Sequence, residues 1–60
     1  MFILIKSKEN VFYIVRKDDI RIIHSHPNNE SVIRFTDESK NTPIVINGTP
    51  EDFFNTHFVK

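Results

Sequence analysis

Two near-continuous apolar runs open the chain, Phe2 to Lys6 and Val11 to Arg16, with polar Ser7-Lys8-Glu9-Asn10 between them. Runs of this length bounded by a short polar link predict a pair of antiparallel strands joined as a hairpin. Because both strands are apolar on both sides, both faces of the pair need cover. Two solutions follow from the pattern. Either one face meets another subunit, or the sheet curls into a small barrel that encloses its own apolar surface.

Beyond the polar turn Arg16-Lys17-Asp18-Asp19, the third run alternates, placing Ile20, Ile22, His24 and His26 on one face and Arg21, Ile23 and Ser25 on the other. Pro27-Asn28-Asn29-Glu30 predicts a tight turn, since proline fixes φ and asparagine tolerates positive φ. The fourth run, Ser31 to Thr36, puts Ile33 and Phe35 opposite Val32, Arg34 and Thr36, the pattern of a half-buried strand. A solvated loop, Asp37 to Asn41, leads to Pro43 and a short edge strand, Ile44-Val45-Ile46. After Asn47-Gly48, Thr49-Pro50-Glu51-Asp52 marks a helix start, with Thr at the N-cap, Pro at N1 and two carboxylates in the first turn. Phe53, Phe54, His57 and Phe58 then form one stripe that must dock on the sheet, because so short a helix is unstable alone. The fold class is therefore mainly β (α+β): a five-stranded antiparallel sheet or small open barrel with one short C-terminal helix, in a single domain over residues 1–60.

Composition reinforces the strand reading. Nine Ile, five Val and six Phe stand against one Leu and no Ala, a bias toward side chains that suit a pleated surface. Sixty residues bury only roughly 60% of the surface an unfolded chain exposes, and there is no cysteine to supply a disulfide or a Cys-rich zinc site. Association is the remaining supplement, so a homo-oligomer is expected. The opening apolar run is too short for a signal peptide or a membrane span, which leads to the expectation of a cytoplasmic protein without a membrane partner.

The eight basic and eight acidic side chains balance, which removes the strong field that draws proteins to polyanions. Residues 1–36 nevertheless carry six basic and four acidic side chains. With Phe12, Tyr13 and Phe35 near Arg16, Arg21 and Arg34 and with Lys6 and Lys8, these make a base-stacking platform for single-stranded RNA or DNA an alternative function. The carboxylate pairs Asp18-Asp19, Asp37-Glu38 and Glu51-Asp52 are turn formers and caps rather than acids facing each other across a cleft. One glycine, Gly48, cannot make a phosphate loop. No catalytic residue and no cofactor is expected.

His24-Ser25-His26-Pro27 places two imidazoles at i and i+2, where they could share a metal, with His57 as a third candidate. The string resembles the core of the JAMM-type zinc isopeptidases. The positions at which that family carries a serine and an aspartate ligand are Phe35 and Glu38 here, so the resemblance implies metal binding only as a remote alternative.

Phe12-Tyr13-Ile14, Asp19 to Ile23, Val32 to Thr36, Ile44-Val45-Ile46 and the closing Thr49-Pro50-Glu51-Asp52-Phe53-Phe54 together resemble the small FlbD-type flagellar and swarming-motility proteins over nearly the whole chain. That resemblance implies a non-enzymatic accessory protein of bacterial or phage origin. Met1-Phe2-Ile3-Leu4 and Asp18 to Ile22 are similar to the carbon-storage-regulator RNA-binding proteins, which are intertwined dimers. The basic residue those proteins use after their fifth strand has no counterpart, as Asn47-Gly48 stand there. The reading that follows is a non-catalytic, self-associating interaction module with a protein partner favoured over nucleic acid. Arg16, Arg21, Arg34, His24 and His26 are its candidate contact residues, and Phe2, Leu4, Phe12 and Ile14 its candidate self-association residues.

Overall fold

The computed structural model describes residues 1–59. Its elements follow the order strand β1 (Phe2–Lys6), strand β2 (Phe12–Arg16), a 3₁₀ turn (Lys17–Asp19), strand β3 (Ile20–His26), strand β4 (Glu30–Phe35), strand β5 (Ile44–Asn47) and helix α1 (Pro50–His57). The protein is mainly β with one short C-terminal helix, as the sequence pattern predicts. The strands do not form one sheet, however. They divide into an antiparallel pair, β1-β2, and an antiparallel three-stranded sheet in the order β3-β4-β5, and neither closes into a barrel.

The division has a local cause. The polar 3₁₀ turn at Lys17–Asp19 redirects the chain after β2, so β3 starts a second layer instead of extending the first. The layers then meet through their apolar faces. Ile5 of β1, Ile33 and Phe35 of β4, Ile44 and Ile46 of β5, and Phe53 of α1 form one buried cluster, with Ile3, Val15, Ile20 and Ile23 packed against it. Backbone contacts also join the layers, since the Lys8 N–H donates to the Val45 carbonyl at 2.9 Å. That bond partly satisfies the outer edge of β5.

The turns explain where strand ends depart from the apolar pattern. Ser7 is buried, its Oγ accepts from the Val11 N–H at 3.2 Å, and its N–H donates to the Val11 carbonyl at 2.8 Å, so Val11 closes the turn and β2 begins at Phe12. Asn10, Asn28 and Asn29 all carry positive φ, which asparagine adopts more readily than other side-chain-bearing residues. With the turn fixed at Asn28-Asn29, β4 starts at Glu30. Thr36 leaves the ladder and donates its N–H to the Asp19 carbonyl.

One alternation is broken. A β-bulge between Ile20 and Ile22 shifts the register, so Ile20 and Ile23 both reach the core while Ile22 is exposed. The expected face of Ile20, Ile22, His24 and His26 thus loses Ile20. A bulge inserts one residue and moves everything beyond it to the opposite face, which strict period-2 counting misses.

Helix α1 is held at both ends. Thr49 Oγ1 accepts from the Asp52 N–H at 3.1 Å, Pro50 occupies the first turn, and Lys17 Nζ donates to the His57 carbonyl at the other end, where a cation also suits the helix dipole. Only Phe53 of the anticipated stripe is buried. Phe54 and Phe58 stack on each other with centroids 5.6 Å apart and stay exposed, and His57 lies 4.4 Å from the Phe53 ring. An eight-residue helix makes just over two turns, and it seats a single aromatic, Phe53, in the core. Before it, Gly48 sits at φ 102°, a conformation disfavoured for L side chains.

Two stability changes test this account. Thr49→Ala removes the acceptor for the Asp52 N–H and should cost about 1 kcal/mol. Gly48→Ala meets no neighbouring atom, so its cost of about 1–2 kcal/mol is purely conformational. Urea unfolding midpoints measure both, and a neutral Gly48→Ala would refute the strained turn.

Candidate interaction surface

In the β1-β2 register, Phe2 lies opposite Arg16, Ile3 opposite Val15, Leu4 opposite Ile14, Ile5 opposite Tyr13, and Lys6 opposite Phe12. Side chains directly opposite one another point to the same face. The inner face therefore carries Ile3, Ile5, Tyr13 and Val15. The outer face carries three rows: Phe2 with Arg16, Leu4 with Ile14, and Lys6 with Phe12.

This outer face is bare. Phe2 exposes 64% of its surface, Leu4 58%, Phe12 62% and Ile14 73%. Together they present roughly 400–500 Å² of apolar surface, within the range of the largest patch on a typical monomer, which is often functional. The four residues singled out for self-association thus share a single face. Lys6 Nζ lies 5.9 Å from the Phe12 ring centroid, and Arg16 stands at the opposite corner beside Phe2. Lys6, grouped above with the basic residues and not with the self-association set, lies on this face because period-2 alternation along β1 places it with Phe2 and Leu4.

The candidate contact residues do not converge. Arg16 is on the outer face of the hairpin. His24 and His26 lie opposite Val32 and Glu30 across the β3-β4 ladder, and Ile22 lies opposite Arg34, so these side chains share the outer face of the other sheet. Two packed layers turn their outer faces away from each other. Arg21 is exposed at the bulge. Arg34 is engaged within the chain, its Nε and Nη2 each donating to a Glu38 carboxylate oxygen at 2.9 Å. Such a fork neutralises the guanidinium and occupies its best donors.

The base-stacking set is equally dispersed. Phe35 is in the core, Tyr13 is on the inner side of the hairpin, and Phe12 points outward. The histidine string lies on an exposed strand end with His24 Nδ1 3.1 Å from the Ser25 carbonyl, and His57 packs on Phe53 of the helix. Among the described residues, no three His, Cys, Asp or Glu side chains gather as a metal site. The acidic pairs have structural work: Asp37 accepts from the Ser39 N–H at 3.2 Å, and Asp52 follows the helix cap.

Two adjoining shallow hollows, of about 200 and 270 Å³, run beside β2 between Val15, Phe35 and the Lys40–Ile44 segment. They are open and follow the free side of β2. Among the described residues, no helix is long and apolar enough to cross a membrane.

No family model matches this chain, and neither does any curated protein or solved structure. The likenesses to FlbD-type and carbon-storage-regulator proteins accordingly rest on the residues quoted above.

The Arg34–Glu38 pair is partly exposed, with 38% and 32% of the side-chain surfaces accessible. Glu38→Gln should therefore change unfolding free energy by less than about 1 kcal/mol. A larger loss in chemical denaturation would assign the pair a structural weight that solvent screening does not allow.

Proposed function

We propose that this chain is a non-catalytic β-rich interaction module that self-associates through the outer face of its amino-terminal hairpin and, in that form, binds a further macromolecule. One observation carries the reading: Phe2, Leu4, Phe12 and Ile14 lie on one face and each exposes more than half of its surface. Apolar area favours burial by roughly 25 cal/mol per Å². The protomer does not bury this face because its inner layer is already occupied by the three-stranded sheet and α1.

Protein is favoured over nucleic acid as the further partner. The chain is neutral, Arg34 is committed to Glu38, and Arg16 and Arg34 stand on separate outer faces, so no continuous basic track supports a phosphate backbone.

Sedimentation across micromolar concentrations tests self-association. The wild-type protein should show a mass that rises above the 7.1 kDa protomer with concentration. Ile14→Asp should remain a protomer with unchanged circular dichroism, because Ile14 is 73% exposed and contributes little to the core. A wild-type protein that stays at protomer mass throughout would sink the proposal.

A further inference from the structure

The outer hairpin face has an internal pattern beyond its apolarity. Its rows are Phe2 with Arg16, Leu4 with Ile14, and Lys6 with Phe12. The two phenyl rings occupy one diagonal and the two cations the other, around an aliphatic centre. A half-turn about the normal to the face exchanges Phe2 with Phe12, Leu4 with Ile14, and Arg16 with Lys6, so the face is chemically equivalent to itself rotated.

That arrangement restricts how two copies can meet. A two-fold axis along the strands sets Phe2 on the partner's Arg16, Leu4 on the partner's Ile14, and Lys6 on the partner's Phe12. An axis across the strands sets Phe2 on the partner's Lys6, Arg16 on the partner's Phe12, and each aliphatic residue on its own copy. In both, every cation meets a phenyl ring and no cation meets a cation. An axis along either diagonal instead brings Arg16 or Lys6 against a cation, which costs the contact its complementarity.

We infer that the hairpin face takes a second copy of this chain, layered face to face about a two-fold axis along or across the strands, with Lys6 and Arg16 of each protomer seated on phenyl rings of the other. This rests on the self-association reading and specifies its geometry. A cation over a ring already occurs within the protomer, where Lys6 stands over Phe12, so the side chains hold the required reach. Stacking two such faces removes roughly 1,000 Å² from water, the lower bound for a specific contact, which makes the complex a weak one in which the cation–ring contacts decide the orientation.

The test compares self-association of four purified full-length proteins by sedimentation, with circular dichroism as the check on folding. Ile14→Asp abolishes association if the face is used at all. Phe12→Leu keeps the apolar character and removes the ring, and since the contact occurs twice per dimer it should weaken association about tenfold. Arg16→Glu should weaken it too, and its mixed dimer with wild-type protein, which keeps one of the two Arg16–ring contacts, should be intermediate and not tighter than the wild-type dimer, because the partner of residue 16 is a ring and not a cation. Phe12→Leu associating as wild type, while Ile14→Asp does not associate, would overturn the inferred geometry and leave self-association standing. A mixed dimer of Arg16→Glu and wild type tighter than the wild-type dimer would also overturn it, as that outcome needs cation facing cation. Wild-type protein that stays monomeric yet is retained on single-stranded RNA at low salt would overturn both readings and assign the face to nucleic acid.

Discussion

The constraint on which the rest depends is that a hairpin with apolar side chains on both faces can have only one of them covered by a body of this size. Ile3, Ile5 and Val15 pack toward the three-stranded sheet, and that choice leaves Phe2, Leu4, Phe12 and Ile14 outside. The single core of Ile5, Ile33, Phe35, Ile44, Ile46 and Phe53 lies between the two layers. No third layer exists among the described residues to shelter the outer face. Small chains reach this situation because surface falls more slowly than volume as a fold shrinks.

The remaining elements serve that core rather than a site. The 3₁₀ turn redirects the chain, and its Lys17 ties the end of α1 while lying 4.4 Å over the Phe58 ring. The Thr49 cap and Gly48 aim the helix so that Phe53 closes one side of the core. Ser31, fully buried in the central strand, donates from Oγ to the Gly48 carbonyl at 2.7 Å, which fixes the helix lead-in to the sheet. Polar groups enter the interior only where such a partner exists.

Several features were legible before any coordinates. The five strands follow from β-branched runs separated by polar turns, and the helix start follows from Thr49-Pro50-Glu51-Asp52, because capping is local chemistry written in adjacent residues. The sorting of Phe2, Leu4, Phe12 and Ile14 onto one face needed only the period of a strand and the length of the turn. The bulge at Ile20–Ile22 was not legible, since its energy comes from packing both Ile20 and Ile23 inward and not from any local signal. Nor was the exposure of Phe54 and Phe58, for a stripe of aromatics does not say how many of them the sheet beneath can receive.

By itself the amino-acid sequence determined which segments are strands, where the helix begins, that disulfides play no part, and that the first two strands carry more apolar surface than they can share with one neighbour. These are properties of single residues and short spacings. Only the tertiary structure decided that the strands divide into two layers and that Arg34 is taken up by Glu38. It also decided that Arg16 and the histidines stand on separate faces, and that the uncovered side of the hairpin is the one bearing Lys6 and Arg16 among phenyl rings. The reason is that layer order and facing are set by which apolar surfaces pack with least void across the whole chain, a competition that no local stretch of sequence records.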